Sequence, residues 1–175
     1  MPEQSPQGQP QGQPRSQPQA DQHWLRESIE LSRSSPPAES AFSVGAVLVS
    51  GAGDVIATGY SRETGPKDHA EEVALAKAGD DPLLAGATLY SSLEPCLTRA
   101  SRPRSCTELI KAAGIGRVVI AWLEPPVFTA GGGAAELRRA GVTVDEIPWL
   151  AELARSVNAH LLPPREAGEG SGLSG

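Results

Sequence analysis

The stretch CTELIKAAGIGRVVIAWLEPPVFTAGGGAAELRRAGVTVDEI, Cys106 to Ile147, decides the fold. CTELIKAAG reads as a helix ended by Gly114, and RVVIAWL (117–123) as a buried strand, an apolar run bounded by turn residues. AAELRRAG gives a second helix, and VTVDEI a further strand. A helix lying between two strands of one sheet makes those strands parallel, joined by a right-handed crossover.

Upstream, ATLYSSL (87–93) is another strand. FSVGAVLVS (42–50) and VIATGYS (55–61) flank the turn GAGD, the pattern of a hairpin. Asp68 is placed to cap a helix over HAEEVALAKAG (69–79), and Asp21 to cap one over WLRESIELSRSS (24–35), stopped by Pro36-Pro37. Downstream, PWLAELARSVNAHLL (148–162) forms a last helix with Pro148 in its first turn. The order α-β-β-α-β-α-β-α-β-α predicts an α/β protein, a three-layer α/β/α sandwich around a five-stranded mixed sheet.

Both ends fall outside this pattern. Residues 2–20 hold seven Gln and five Pro, with Ala20 as the one aliphatic side chain. Such a segment cannot bury enough apolar surface to offset the entropy of ordering. The expected organisation is a Pro/Gln-rich disordered tail over 1–21, one domain over 22–162, and a second disordered tail over 163–175. No apolar run approaches membrane-span length and the N-terminus lacks a secretory stretch, so a cytoplasmic location is expected. A net charge of −6 argues against nucleic acid as the main partner.

The two cysteines of the chain, Cys96 and Cys106, bracket LTRASRPRS, which carries Arg99, Arg102 and Arg104 and no acid. In a reducing compartment they read as free thiols or metal ligands rather than a disulfide. His69 and Glu71 open one helix, Cys96 follows a strand, and Cys106 opens another helix. In such a sheet, ligands gather where strands end and helix N-termini converge. One His and two Cys make three zinc ligands and leave a fourth tetrahedral position for water, whose pKa zinc lowers from about 15.7 to about 7. Glu71, two residues beyond His69, is placed to shuttle the proton from that water to a ring nitrogen and then to a departing amine. That is hydrolytic deamination at an amidine-like carbon.

HAE followed by PC and a second Cys resembles the zinc-dependent cytidine/deoxycytidylate deaminase superfamily, over about Phe42 to Val144. The resemblance implies the α/β/α sandwich, a zinc ion on His69, Cys96 and Cys106, and Glu71 as catalytic proton shuttle. Nine residues separate the cysteines instead of two. A similarly long loop after EPC, with an Arg and prolines, is found in the deaminase domain of riboflavin biosynthesis, which the segment 108–144 also resembles. Arg102 aligns with the Arg of that family's loop. Arg99, Arg102 and Arg104 would then bracket the site and hold an anionic group, most simply a nucleotide phosphate.

Two differences mark this chain. Where the riboflavin enzymes have the Asn of PNPxVG, the sequence has Ala41. AFSVGAVLV is instead similar to the FxVGA of free cytidine deaminases, whose Phe stacks on the pyrimidine, a role that would fall to Phe42. The reading is therefore a zinc hydrolase that deaminates a small aminopyrimidine or pyrimidine nucleotide. The alternatives are a cytosine nucleoside or deoxycytidylate deaminase, a nucleic-acid-editing deaminase, and a non-catalytic zinc module. Glu71 separates the last from the others, since a retired site has no need of that carboxylate. The resemblance further implies a homo-oligomer, such as a dimer, and the lack of a long apolar run leads us to expect no membrane partner. His23 and His160 have no partners in the pattern, and Gly131–Gly133 lack the GK[ST] of a phosphate loop and read as a turn.

Overall fold

The computed structural model describes residues 15–128 and 131–163. Residues 1–14 and 164–175, expected as tails, lie outside the described residues. Five strands form one sheet in the order β2-β1-β3-β4-β5: β1 Gly45–Val49, β2 Val55–Tyr60, β3 Thr88–Ser91, β4 Arg117–Ile120 and β5 Thr143–Glu146. β1 runs antiparallel to both β2 and β3, while β3/β4 and β4/β5 are parallel, giving the mixed sheet expected. The crossover over Cys106–Ile147 makes β4 and β5 neighbours, as their sequence order required.

Among the described residues five α-helices flank the sheet: α1 Gln17–Ser32, α2 Ala70–Ala78, α3 Cys106–Ala112, α4 Gly133–Arg139 and α5 Ala151–Val157. α1 packs on β1 and β3 and touches α5, whereas α2 packs on β2 and β1 and touches α3, which touches α4. Two glycines show how close these layers lie. A Cβ on Gly45 would meet the Ser28 carbonyl of α1 at 1.9 Å, and one on Gly59 the Ala70 carbonyl of α2 at 2.3 Å. Gly45 pairs with Tyr60 and Gly59 with Ala46, so the two glycines face opposite sides of the sheet and each admits a helix backbone.

α1 buries Asp21, Leu25, Ser28, Ile29 and Ser32, one helical face. Leu25 and Ile29 have no exposed surface, and each contributes about 1.5–3 kcal/mol by burial. Ser28 and Ser32 satisfy their hydroxyls on the carbonyls of Leu25 and Ile29, at 2.8 and 2.6 Å. The helix starts at Gln17 after Ser16, not after a cap at Asp21. Residues 17–21, assigned by composition to the tail, are helical because Asp21 is drawn inward: its carboxylate accepts from Arg117, Tyr90 and Gln17.

The last helix also differs from expectation. The segment 148–162 is a short 3-10 turn, then α5, then a second 3-10 turn from Ala159. Asn158, only 2% exposed, interrupts it by turning its amide to the backbone of Ser43. Among the described residues no helix is long and apolar enough to cross a membrane.

Candidate metal centre and cavity

β2 and β3 both run opposite to β1, and β4 runs with β3. The ends of β2, β3 and β4 therefore meet the start of β1 at one edge: Tyr60 lies across from Gly45, Ser91 from Ala46, and Ile120 beside Ser91. The chain segments leaving that edge carry His69, Cys96 and Phe128, and the segment entering it carries Phe42. Helix starts complete the site. His69 is the N-cap of α2, with its N–H donating to Glu72 Oε2 at 3.4 Å. Cys106 is the first residue of α3, behind a Ser-x-x-Glu capping box in which Ser105 and Glu108 exchange bonds of 2.7 and 3.3 Å. The cap of α2 is thus His69, not Asp68, whose carboxylate is engaged by Thr64 and Arg102.

His69 Nδ1 lies 3.5 Å from Cys96 Sγ and 3.4 Å from Cys106 Sγ, and the three donor atoms fall within 4.8 Å of one another. Tetrahedral zinc with ordinary Zn–S and Zn–N distances separates such ligand atoms by about 3.6 Å. The spacing and the N/S donor set both fit that ion. The Cys106 N–H points to Cys96 Sγ at 3.3 Å, an arrangement that favours thiolate. Glu71 is 3% exposed; Ser91 donates to its Oε1 at 2.9 Å, and its Oε2 lies 3.5 Å from Cys106 Sγ.

The four groups shape one another's protonation. The hydrogen bond from Cys106, with help from His69 and against burial, holds the Cys96 thiol far below its usual range. That same bond, then burial and the Glu71 charge, push the Cys106 thiol up. Burial pushes the Glu71 carboxyl up. Burial works to lower the His69 imidazole, but the Cys96 hydrogen bond and the Glu71 and Cys96 charges raise it on balance.

His69, Glu71 and Cys96 line a cavity of about 310 Å³ together with Phe42, Arg62, Lys67 and Phe128, while Cys106 is fully buried beside them. Ala41 is also in the wall, so the position where the riboflavin pattern has Asn faces the cavity. Phe42 is only 6% exposed, with Trp122 at 5.4 Å and Phe128 at 4.9 Å, both edge-on. Of the loop arginines, Arg99 reaches the cavity and Arg102 and Arg104 are not among its lining residues. Arg99 bonds Glu72 Oε2 at 3.0 Å and the Lys67 carbonyl at 2.6 Å, and its side chain is 3% exposed. Arg102 bonds Asp68 at 2.8 Å and Glu72 at 3.2 Å. Arg104 turns to the Glu108 carbonyl at 3.4 Å. The patch without acids in its own sequence is thus answered by acids flanking His69, and Arg99 and Arg102 tie the inter-cysteine loop to the start of α2.

Sequence reasoning missed several residues here. Arg62 holds the loop that brings in Phe42, donating to the carbonyls of Pro36 and Phe42 and to Ser43 Oγ at 2.8, 3.1 and 2.9 Å. Its φ of 63° places it in the left-handed region. Asn158 grips Ser43 from the far side through two bonds, its Oδ1 accepting at 2.7 Å and its Nδ2 donating at 3.0 Å. Glu94 accepts from the N–H groups of Glu124 and Ala134 at 2.9 and 2.7 Å. Only Glu94 had a signal, as the first letter of EPC; the partners of the others are distant in sequence.

Comparison with known proteins places this geometry. The family described as the cytidine and deoxycytidylate deaminase zinc-binding region matches residues 18–122. The chain is 38% identical over 128 residues to a diaminohydroxyphosphoribosylamino-pyrimidine deaminase of Schizosaccharomyces pombe, covering 71% of this chain and 31% of that protein. It is 44% identical over 115 residues to the riboflavin biosynthesis protein RibD of Aquifex aeolicus, covering 66% and 31%. Among solved structures, RibD of Acinetobacter baumannii superposes with a TM-score of 0.72 at 32% identity, covering 84% of this chain and 40% of that one. The chain thus spans about a third of the length of these curated relatives.

Proposed function

The chain belongs to the family of the cytidine and deoxycytidylate deaminase zinc-binding region, and on that premise we propose that it is a zinc-dependent hydrolase releasing ammonia from an aminopyrimidine of the kind made in riboflavin biosynthesis. One observation carries the reading. His69 Nδ1 and the sulfurs of Cys96 and Cys106 converge, His69 and Cys96 in the cavity wall and Cys106 fully buried beside them, with the buried Glu71 carboxylate 3.5 Å from Cys106 Sγ. His69, Cys96 and Cys106 are the residues that would hold the ion. Zinc there supplies a Lewis acid that makes water acidic enough to attack at neutral pH.

The protein's own groups do the rest. Ser91 fixes Glu71 Oε1, leaving Oε2 turned to the cluster to take the proton of the attacking water. Glu71 gives that proton to the ring nitrogen, then takes the remaining hydroxyl proton of the adduct and gives it to the departing amine. A carbon–oxygen bond forms, the carbon–nitrogen bond breaks, and ammonia leaves. Lys67 in the wall suits an anionic substituent on the substrate, which favours a nucleotide over a free base, and Arg99 beside it can add a bond only by releasing Ser101, Glu72 or the Lys67 carbonyl. Arg102 can join them only by releasing Asp68 or Glu72, and Arg104 only by turning from Glu108. The net charge of −6 disfavours an editing role on nucleic acid. The dimer implied by the family likeness belongs to the same proposal.

The test is ammonia release by the zinc-loaded full chain, with metal analysis alongside. The screen runs over the riboflavin-pathway aminopyrimidine nucleotide, its dephosphorylated form, cytidine and deoxycytidylate. About one zinc per chain and strongest turnover of the phosphorylated aminopyrimidine are expected. Turnover that survives complete removal of the metal would refute the mechanism.

A further inference from the structure

Resting on the deaminase reading, we propose that Phe128 is the specificity-determining residue on which the substrate's heterocycle stacks. The chain has only two phenylalanines, and both line the cavity with His69, Glu71 and Cys96. Phe42, the residue that the family likeness singles out, has little surface to give. It is 6% exposed, and Trp122 and Phe128 press on it at interplanar angles of 67° and 63°. Phe128 is 41% exposed and is the outermost ring of that series. An open aromatic ring at the mouth of a cavity beside a metal-ligand cluster is a ready partner for a flat π-system.

The ring is also held in place. Its contact with Phe42 at 4.9 Å sets its orientation, and Phe42 is in turn fixed through its neighbour Ser43 and its own carbonyl by Asn158 and Arg62. The segment that carries Phe128 is anchored on both sides by one buried carboxylate. Glu94 bonds the N–H of Glu124 before it and of Ala134 after it. Glu94 stands two residues ahead of Cys96, so Phe128 is referenced to the metal ligands themselves. Gly133 strengthens the anchor, because a Cβ there would meet the Pro95 carbonyl at 1.8 Å.

The test compares zinc-loaded wild type with Phe128→Leu, Phe128→Ala, Phe128→Tyr and Phe128→Trp. The first measurement is the dissociation constant of 2,4-diamino-6-hydroxypyrimidine by calorimetry; the second is the KM and kcat for ammonia release. The Leu and Ala variants are expected to weaken probe binding and raise KM by roughly 5- to 100-fold, the range of base–aromatic stacking, with kcat nearly unchanged. Tyr and Trp are expected to restore both values, which a merely structural role would not require. Leu and Ala variants that bind the probe as wild type does would overturn the stacking proposal while leaving the deaminase reading intact. A wild type that neither binds the probe nor releases ammonia from any pyrimidine tested would overturn both.

Discussion

The two ends of the sheet each hold a cluster of polar groups, and they differ in whether the buried acid has a cation to answer it. Where β4 begins, Arg117 places Nη1 and Nη2 2.8 Å from the two oxygens of Asp21 and Nη2 2.6 Å from Asp145, while the Tyr90 hydroxyl donates to Asp21 at 2.8 Å. Burial raises the Asp21 carboxyl, but the bonds from Arg117, Tyr90 and Gln17 outweigh it and hold it below its usual range. Where β3 ends, two thiols and a carboxylate share one imidazole. Three acidic groups face one base, and two of the three are pushed toward keeping their protons. A buried carboxylate answered by a guanidinium holds a fold together, and the second acid on Arg117, Asp145, is left half in solvent; a buried cluster short of positive charge has room for a cation.

The sharpest break between the two ends is Glu71→Gln, which should lower ammonia release by roughly a hundredfold or more while zinc content and melting temperature stay close to wild type. Normal turnover in that variant would remove Glu71 from the chemistry. Asp21→Ala should do the reverse. Stability should fall by about 2–3 kcal/mol, a melting shift of roughly 5–10 °C, because Arg117 keeps Asp145 but loses its better-buried partner. Its kcat below the transition should match wild type.

The same carboxylate gives a pH signature. A group held below 3.8 in the fold contributes stability above that value and loses it as pH falls through the lower folded pKa. The gap between wild type and Asp21→Asn in denaturant melts should therefore be constant from neutral pH to about 5 and narrow below about 4. A gap that stays level at acid pH would show that Asp21 is not the linked group.

Arg99→Ala should produce a smaller effect, at the metal end. Removing the tie between the inter-cysteine loop and Glu72 should weaken zinc affinity about tenfold, read by competition with a chelator. Arg104→Ala, whose side chain meets only the Glu108 carbonyl among the described bonds, should leave zinc affinity unchanged; an equal loss in both variants would mean that loop charge, not the Arg99 tie, matters.

The comparison also separates what was legible in the residues from what was not. HAE stands at one helix start, EPC just after a strand and Cys106 at the next helix start, so the positions of His69, Glu71, Cys96 and Cys106 in the chain already pointed to one sheet edge. The alternation around β4 and β5 was equally plain, because local periodicity and turn residues agree there. The arginine loop was not legible in the same way. Its nine residues contain no acid, yet Asp68 and Glu72 reach it from 30 or so residues away and turn a bare basic patch into paired struts. Asp21 read as a cap because Asp is a good one, and Arg117 and Tyr90, 96 and 69 residues later, draw it into the interior.

By itself, the sequence settled the α/β alternation and the parallel pair β4/β5 and named the residues that could offer a metal its ligands, since each depends on neighbours within a few positions. The tertiary structure alone decided which charges are answered and which aromatic ring stays open. Phe42 and Phe128 are the same residue type, 86 positions apart, and nothing local tells the enclosed ring from the exposed one. Burial and pairing are settled by segments far apart in the chain that meet only once the sheet has formed.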